Sequence, residues 1–153
     1  MLPTATHYGT MMGSMIVFHA FVDGYLQLVT SICASNNNQA QTVLDLFLAA
    51  IHEHGIPSRV HGDTGTENVL VWAYMENLHG PGWGSYIIGS VHNVQIEQLW
   101  RNLTAGFGAK WKLFFQQLEV HDHLDPDLDL HIWLLHFLFL DTIDQDTIDW
   151  ANA

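Results

Sequence analysis

Basic side chains are scarce. Lys and Arg number 4 against 16 Asp and Glu, which leaves a formal charge of −12 with histidine neutral. Arg59, Arg101, Lys110 and Lys112 are scattered along the chain. Nucleic-acid affinity depends chiefly on neutralising phosphates, so four such residues exclude a broad basic face and argue against tight DNA binding by this chain alone. Cysteine is rarer still. The single Cys33 excludes an internal disulfide and a cysteine-based zinc framework, so the expected compartment is reducing and intracellular, nuclear or cytoplasmic. Long apolar runs are also missing. Met15 to Val22 is too short to span a bilayer, and Ile132 to Leu140 is short and broken by His136. No membrane segment is expected, and no cleavable leader is evident.

Apolar residues, by contrast, are plentiful. At 48% of 153 residues they suit one domain with a real core and argue against disorder. Histidine is abundant as well: 11 imidazoles would take the formal charge from −12 to −1 on acidification while the carboxylates stay ionised, which makes solubility or binding sensitive to pH.

Two stretches stand out for their chemistry. In Val60-His61-Gly62-Asp63-Thr64-Gly65-Thr66-Glu67-Asn68 a short apolar strand ends in an aspartate beside a glycine turn, and a helix carrying Glu67 near its start follows. A carboxylate at the end of a strand is where open α/β sheets keep their sites. Asp63 has two readings: a metal ligand, or a residue that closes the turn through its own side chain. In Ser90 to Arg101, Ile96, Leu99, Trp100 and Leu103 repeat at helical spacing. Asn93, Glu97 and Arg101 fall on another face, so Glu97 can reach a site while the stripe packs beneath it, or stand in solvent.

The remaining segments read more plainly. Met1 to Gly13 has no clear period and reads as a loose lead-in over 1–13, with the domain proper over 14–153. Met15 to Val22 and Tyr25 to Cys33 are β-rich runs joined at Asp23-Gly24, a hairpin signal. Asn36 to Asn38 offers capping side chains for a helix that stops at Gly55, with Pro57 just beyond. Ser58 to Asp63 is the next strand, Glu67 to Leu78 a helix, His79 to Ser85 a glycine-rich loop, and Tyr86 to Ile88 a short strand. From His92 to about Val120 the pattern is helical, interrupted at Gly106 and Gly108, with an aromatic stripe that reads as core or dimer interface. The pairs His52-Glu53-His54 and His121-Asp122-His123 do not make a ligand set of zinc-like spacing. A final helix is expected from about Leu128 to Leu140. Asp141, Asp144, Asp146 and Asp149 follow it as an acidic tail, read as a solvated face.

From about Ile16 onward the chain resembles the integrase core of retroviral and transposon-derived integrases, and most closely a eukaryotic family of integrase core domains found in mobile elements. The residues that carry the likeness are Phe21-Val22-Asp23-Gly24-Tyr25, Ser35-Asn36-Asn37-Asn38, Gly55-Ile56-Pro57-Ser58-Arg59-Val60, Gly62-Asp63, Glu67-Asn68, His92-Asn93, Ile96-Glu97 and Leu99-Trp100. Leu124-Asp125-Pro126 and Leu134 to Leu140 look like the family's closing helical region.

The resemblance implies an α/β fold: a ribonuclease H-like mixed sheet flanked by helices, with an extended C-terminal helical region. It also implies metal-dependent polynucleotidyl transfer in DNA integration, with Mg²⁺ or Mn²⁺ as cofactor, DNA as partner and a homo-oligomeric state. Asp63 and Glu97 match two of the family's three metal-binding, catalytic carboxylates. The first carboxylate of the family lies on an opening strand, in a Trp-x-x-Asp-Gly-x-His-Lys-like element upstream of the Asp-Gly-Tyr hairpin. Counting back from Asp23 without gaps reaches Thr6, and no Asp or Trp occurs in Met1 to Phe21. Where the family tends to carry basic residues this chain has Gln27, Thr64, Gln95 and Gln98. The resemblance therefore implies an impaired or truncated catalyst, or else a domesticated or decayed core that acts as a non-enzymatic protein-interaction module.

Overall fold

The computed structural model describes residues 4–11, 16–88 and 94–153. The chain runs β1 (Thr4–Met11), β2 (Ile16–Asp23), β3 (Val29–Ser35), α1 (Ala40–His54), β4 (Val60–Gly62), α2 (Val69–His79), β5 (Tyr86–Ile88), α3 (Val94–Leu103), α4 (Ala109–His121) and α5 (Asp129–Ala151). All five strands join one sheet in the order β3-β2-β1-β4-β5. Strands β1, β2 and β3 pair antiparallel, while β4 pairs with β1, and β5 with β4, in parallel. Parallel neighbours need a crossover, and α2 supplies the one between β4 and β5.

The sheet is covered on both faces, and β2 shows why. Its residues are apolar almost without a break, as a strand buried on both sides requires. Ile16, Phe18, Ala20 and Val22 point into a cluster with Ile96, Leu99 and Leu103 of α3, Trp111 and Phe115 of α4, and Leu135 and Ile143 of α5. Phe21 points the other way, into a smaller cluster with Val43 and Phe47 of α1, Val71 and Met75 of α2, Val60 and Tyr86. His19 is the polar exception on this strand, 2% exposed, with Nε2 3.2 Å from the Asn37 carbonyl. Burial holds its pKa below the ordinary histidine value, against the smaller opposing pull of that carbonyl and of the Glu67 carboxylate.

Three sequence expectations need correction. The lead-in over 1–13 is instead, from Thr4 to Met11, the central strand β1, paired with β2 from Thr4↔Asp23 to Met11↔Ile16. Thr4, Thr6, Tyr8 and Thr10 alternate with period two and favour a strand, but the alternation is polar and so lacks an apolar signature. The acidic tail is the second half of α5, which continues to Ala151. Ile143 and Thr147 are buried four apart, so the helical period carries on among the aspartates.

Nor are all those aspartates solvated. Asp144 accepts the Ala34 N–H at 2.6 Å, and Asp146 accepts Lys110 Nζ at 2.8 Å and Trp111 Nε1 at 2.9 Å. The first bond lets α5 cover β3, an outer strand of the sheet that would otherwise present unpaired backbone. Burial raises the Asp144 carboxyl, and burial beside Asp144 pushes the Cys33 thiol up to about 12, so that thiol is inert. The Lys110 hydrogen bond holds the Asp146 carboxyl low against the opposing effect of burial, with lesser help from the Trp111 hydrogen bond and the Lys110 charge.

Other expected elements appear with modest shifts. Asp23 closes the β2–β3 turn, its Oδ1 accepting Tyr25 N–H at 2.8 Å and Leu26 N–H at 2.9 Å. Asn37 prepares the start of α1, its Oδ1 accepting from Gln39 N–H and Thr42 Oγ1. The expected break at Gly106 is a π turn over Thr104–Gly108 in which Gly106 leaves helical geometry. A Cβ at Gly106 would come within 2.9 Å of Trp150 Nε1, so glycine lets α5 approach. Among the described residues no helix is long and apolar enough to cross a membrane. His92 and Asn93 lie outside the described residues.

Candidate functional site

Asp63 follows the last residue of β4, beside the central strand. The parallel ladder pairs Thr4 with Val60 and Ala5 with His61; one step further along the same register would bring Thr6 level with Gly62. Continued by that step, the position that the resemblance implies for a first carboxylate would lie on the strand next to the one that ends before Asp63. Of Thr6 and Asp63, only Asp63 is an acid.

The turn after Asp63 is built on its side chain. Oδ1 accepts the Gly65 N–H at 3.0 Å and Asn68 Nδ2 at 2.7 Å. Tyr86 on β5 donates its hydroxyl to the Asp63 carbonyl at 3.1 Å, and Trp72 of α2 stacks on that Tyr86 ring at 5.6 Å and 11°. Asp63 therefore closes its βα turn, one of the two roles open to it from sequence. Oδ1 already has two donors, which leaves Oδ2 as the oxygen with capacity for a cation.

Glu67, expected near the start of the following helix, lies in a 3₁₀ turn over Thr66–Asn68 and is 4% exposed. Its Oε1 accepts no hydrogen bond. It acts electrostatically on His19 from the face of the sheet that carries α1 and α2. Gly65 has no Cβ at a point where one would overlap the Glu67 carboxyl. The turn folds over Glu67 and keeps it buried. The burial of His19 and of Glu67 was not legible from the sequence; the only signal was a lone His within the apolar run of β2.

Glu97 sits on α3, whose Ile96, Leu99 and Leu103 are buried against the sheet. Helix α3 also contacts β1, so Asp63 and Glu97 hang from two elements that adjoin the same central strand. Glu97 itself is exposed. Its side chain is 60% accessible and its Oε2 lies 3.8 Å from Arg101, a surface pair one helical turn apart of small energetic weight.

Hard divalent cations bind oxygen ligands, and a pair of them about 3.5–4 Å apart needs at least three carboxylates near one point. Among the described residues no group of three or more His, Cys, Asp or Glu could hold a metal ion, and β1 carries no acid at all. Asp63 Oδ2, with no hydrogen bond among the described residues, and an exposed Glu97 do not by themselves fit a two-ion centre. Phosphate contacts are equally thin. Two of the four cations face acids, Arg101 on Glu97 and Lys110 on Asp146.

Residues 8–153 match the integrase core domain family; the match begins after Thr6. Among solved structures the chain is similar to the HTLV-2 integrase catalytic core domain in complex with magnesium, in its trimeric form. The identity is 16% and the TM-score 0.53, over 90% of this chain and 86% of that one. It is similar to the catalytic core domain of BIV integrase at 14% identity and a TM-score of 0.54, over 88% and 81%. A chain of the simian T-cell lymphotropic virus intasome, solved in complex with PP2A regulatory subunit B56 gamma, gives 14% and 0.56 over 90% of this chain and 49% of that one. No curated protein matches. At these identities the structural likeness is one of fold, and the fold is the ribonuclease H-like α/β arrangement with helices flanking the sheet.

Proposed function

We propose, from the premise that the chain belongs to the integrase core domain family, that it acts in DNA integration as a core whose own carboxylates are one short of a complete catalyst. What supports the reading is the register of β1 on β4, Thr4↔Val60 and Ala5↔His61, which continued by one residue would bring Thr6 level with Gly62, the residue before Asp63. A threonine hydroxyl is neutral. It cannot replace the anionic oxygens that a pair of divalent cations requires. On this reading Asp63, through Oδ2, and Glu97 are the second and third members of the catalytic, metal-binding set, and Mg²⁺ or Mn²⁺ is held weakly.

The reading also fits the charge. With −12 overall, DNA contact requires help from another chain or from a longer polypeptide that adds basic surface. Homo-oligomerisation is part of the proposal, since HTLV-2 integrase cores were solved in dimeric and trimeric forms. A second reading, a core retained as a non-enzymatic interaction module, is favoured by the exposed apolar side chains of α5.

The test is a nuclease and strand-transfer assay with Mn²⁺ on the wild-type chain, on Asp63→Asn, and on Thr6→Asp with and without Asp63→Asn. The expected result is background cleavage from the first two, and cleavage by Thr6→Asp that disappears when Asp63→Asn is added. Wild-type cleavage abolished by Asp63→Asn would mean the carboxylate set is already sufficient. Inactivity of all four proteins would favour the interaction module.

A further inference from the structure

Helix α5 turns two kinds of apolar side chain in different directions. Leu135 and Ile143 are buried in the core, whereas Leu130, Trp133, Phe137 and Leu138 are 65%, 59%, 72% and 53% exposed. Trp133 and Phe137 stack on one another at 5.4 Å and 10°, so these two exposed rings of α5 form one flat surface one helical turn long. Beside them lies a groove of about 350 Å³ whose walls include Leu118 of α4, Leu124 of the connection, and Leu134, Leu138 and Phe139 of α5. Single exposed apolar residues are ordinary; a contiguous run with a groove at its side is the surface of a docking site.

Charge identifies the occupant. After Lys112 the chain has nine Asp or Glu and no Lys or Arg. Asp122 lines the groove, and Asp125, Asp127 and Asp129 follow it in the connection and at the start of α5. A second copy of this chain docked by this same face would set the same acidic rim against this one, which leaves self-association through other faces untouched. That arrangement opposes like charges. The surface instead calls for apolar side chains on one face of the partner and positive charge on the faces flanking it.

We propose that the α4–α5 groove with the Trp133–Phe137 platform docks a basic amphipathic helix of a different polypeptide. Its apolar anchors, at helical i, i+3, i+4 and i+7 spacing, would lie between Leu118 and Phe139 and over the two stacked rings. Its Lys or Arg residues would meet Asp122, Asp125, Asp127 and Asp129. The inference does not depend on the carboxylates at Asp63 and Glu97. It holds equally for a complete and an incomplete catalyst.

The test uses two labelled peptides of roughly 18 residues with Leu at that spacing, one with Lys at its polar positions and one with Glu, titrated with the intact chain by fluorescence anisotropy. The Lys peptide is expected to bind at least about tenfold more tightly than the Glu peptide and to weaken with added salt. Phe137→Glu gives the sharper contrast. It adds a negative charge, so an electrostatic contact alone would tighten, whereas docking on the platform weakens by at least about tenfold. Trp133→Ala, which adds no charge, is expected to weaken binding in the same direction. Val69→Glu, at an exposed apolar position on α2, leaves the loss absent. Circular dichroism checks that each variant keeps its helices. The proposal is overturned if the Lys peptide does not bind, if both peptides bind alike, or if Phe137→Glu binds as tightly as wild type. Sedimentation would overturn it too, by showing a wild-type dimer that Phe137→Glu converts to monomer, since the occupant would then be a second copy.

Discussion

The two faces of the sheet are built from alternate residues of the same strands, and they end differently. Beneath α1 and α2 a small cluster around Phe21, Phe47, Val71 and Met75 is fully buried, and α1 exposes no large apolar side chain. Beneath α3, α4 and α5 a larger cluster is buried around Phe18, Ile96, Trp111 and Phe115, and α5 still has large apolar residues to spare on its outer side. The first face leaves Val69, Trp72 and Leu78 of α2 exposed, with Trp72 stacked on Tyr86, and carries the Asp63 turn at its edge. The second has more apolar surface than the sheet can cover. A buried apolar cluster explains stability; an uncovered one, set among acids, asks for a partner.

The largest effects that would break this comparison are in the cores. Phe47→Ala in the small cluster and Phe115→Ala in the large one remove side chains that are 1% and 0% exposed, and each is expected to cost about 3–5 kcal/mol in urea unfolding. Phe137→Ala, on the uncovered side, should stay within about 0.5 kcal/mol. If Phe137→Ala cost as much as either core change, the outer side of α5 would be part of the core rather than a surface.

The Asp63 turn gives effects of intermediate size. Gly65→Ala drives a methyl into the Glu67 carboxyl and should destabilise by about 1–3 kcal/mol, with Glu67→Ala in the same chain restoring most of the loss. Asp63→Ala leaves the Gly65 N–H and Asn68 Nδ2 without their acceptor and should cost about 1–2 kcal/mol. Asp63→Asn keeps an oxygen there and should cost less. Equal costs for Ala and Asn would mean that the turn does not rest on that oxygen.

The smallest effect is on pH dependence. Burial lowers the His19 pKa in the folded chain, so on acidification the unfolded chain takes up its proton first. Stability is then present above the ordinary histidine value and is lost as pH falls through it toward the lowered folded value. The loss between about pH 7.5 and pH 5.5 should be larger in wild type than in His19→Gln when both are unfolded in urea. Parallel curves for the two proteins would remove His19 as the cause.

Much of the fold was legible because its signals were apolar and periodic. The Asp23-Gly24 hairpin, the helix that stops at Gly55 and the α3 stripe through Ile96, Leu99 and Leu103 all appear where spacing predicted them. β1 was missed because its alternation is of threonines and a tyrosine. The far half of α5 was missed because aspartates at 141, 144, 146 and 149 look solvated until Asp144 is seen on the Ala34 N–H and Asp146 on Trp111. At the candidate site the sequence could nominate Asp63, Glu97 and the vacancy at Thr6. It could not reveal that Asp63 Oδ1 is occupied by its own turn or that Glu67 is buried, since both depend on contacts within and behind the turn.

The most direct test of the central claim is calorimetric titration of Mn²⁺ into the wild-type chain, Thr6→Asp, and Thr6→Asp combined with Asp63→Asn. The account predicts weak or absent binding by wild type and a gain of at least about tenfold in Thr6→Asp that is lost again with Asp63→Asn. Binding by wild type as tight as by Thr6→Asp would contradict it, because position 6 would then not be the missing member of the carboxylate set.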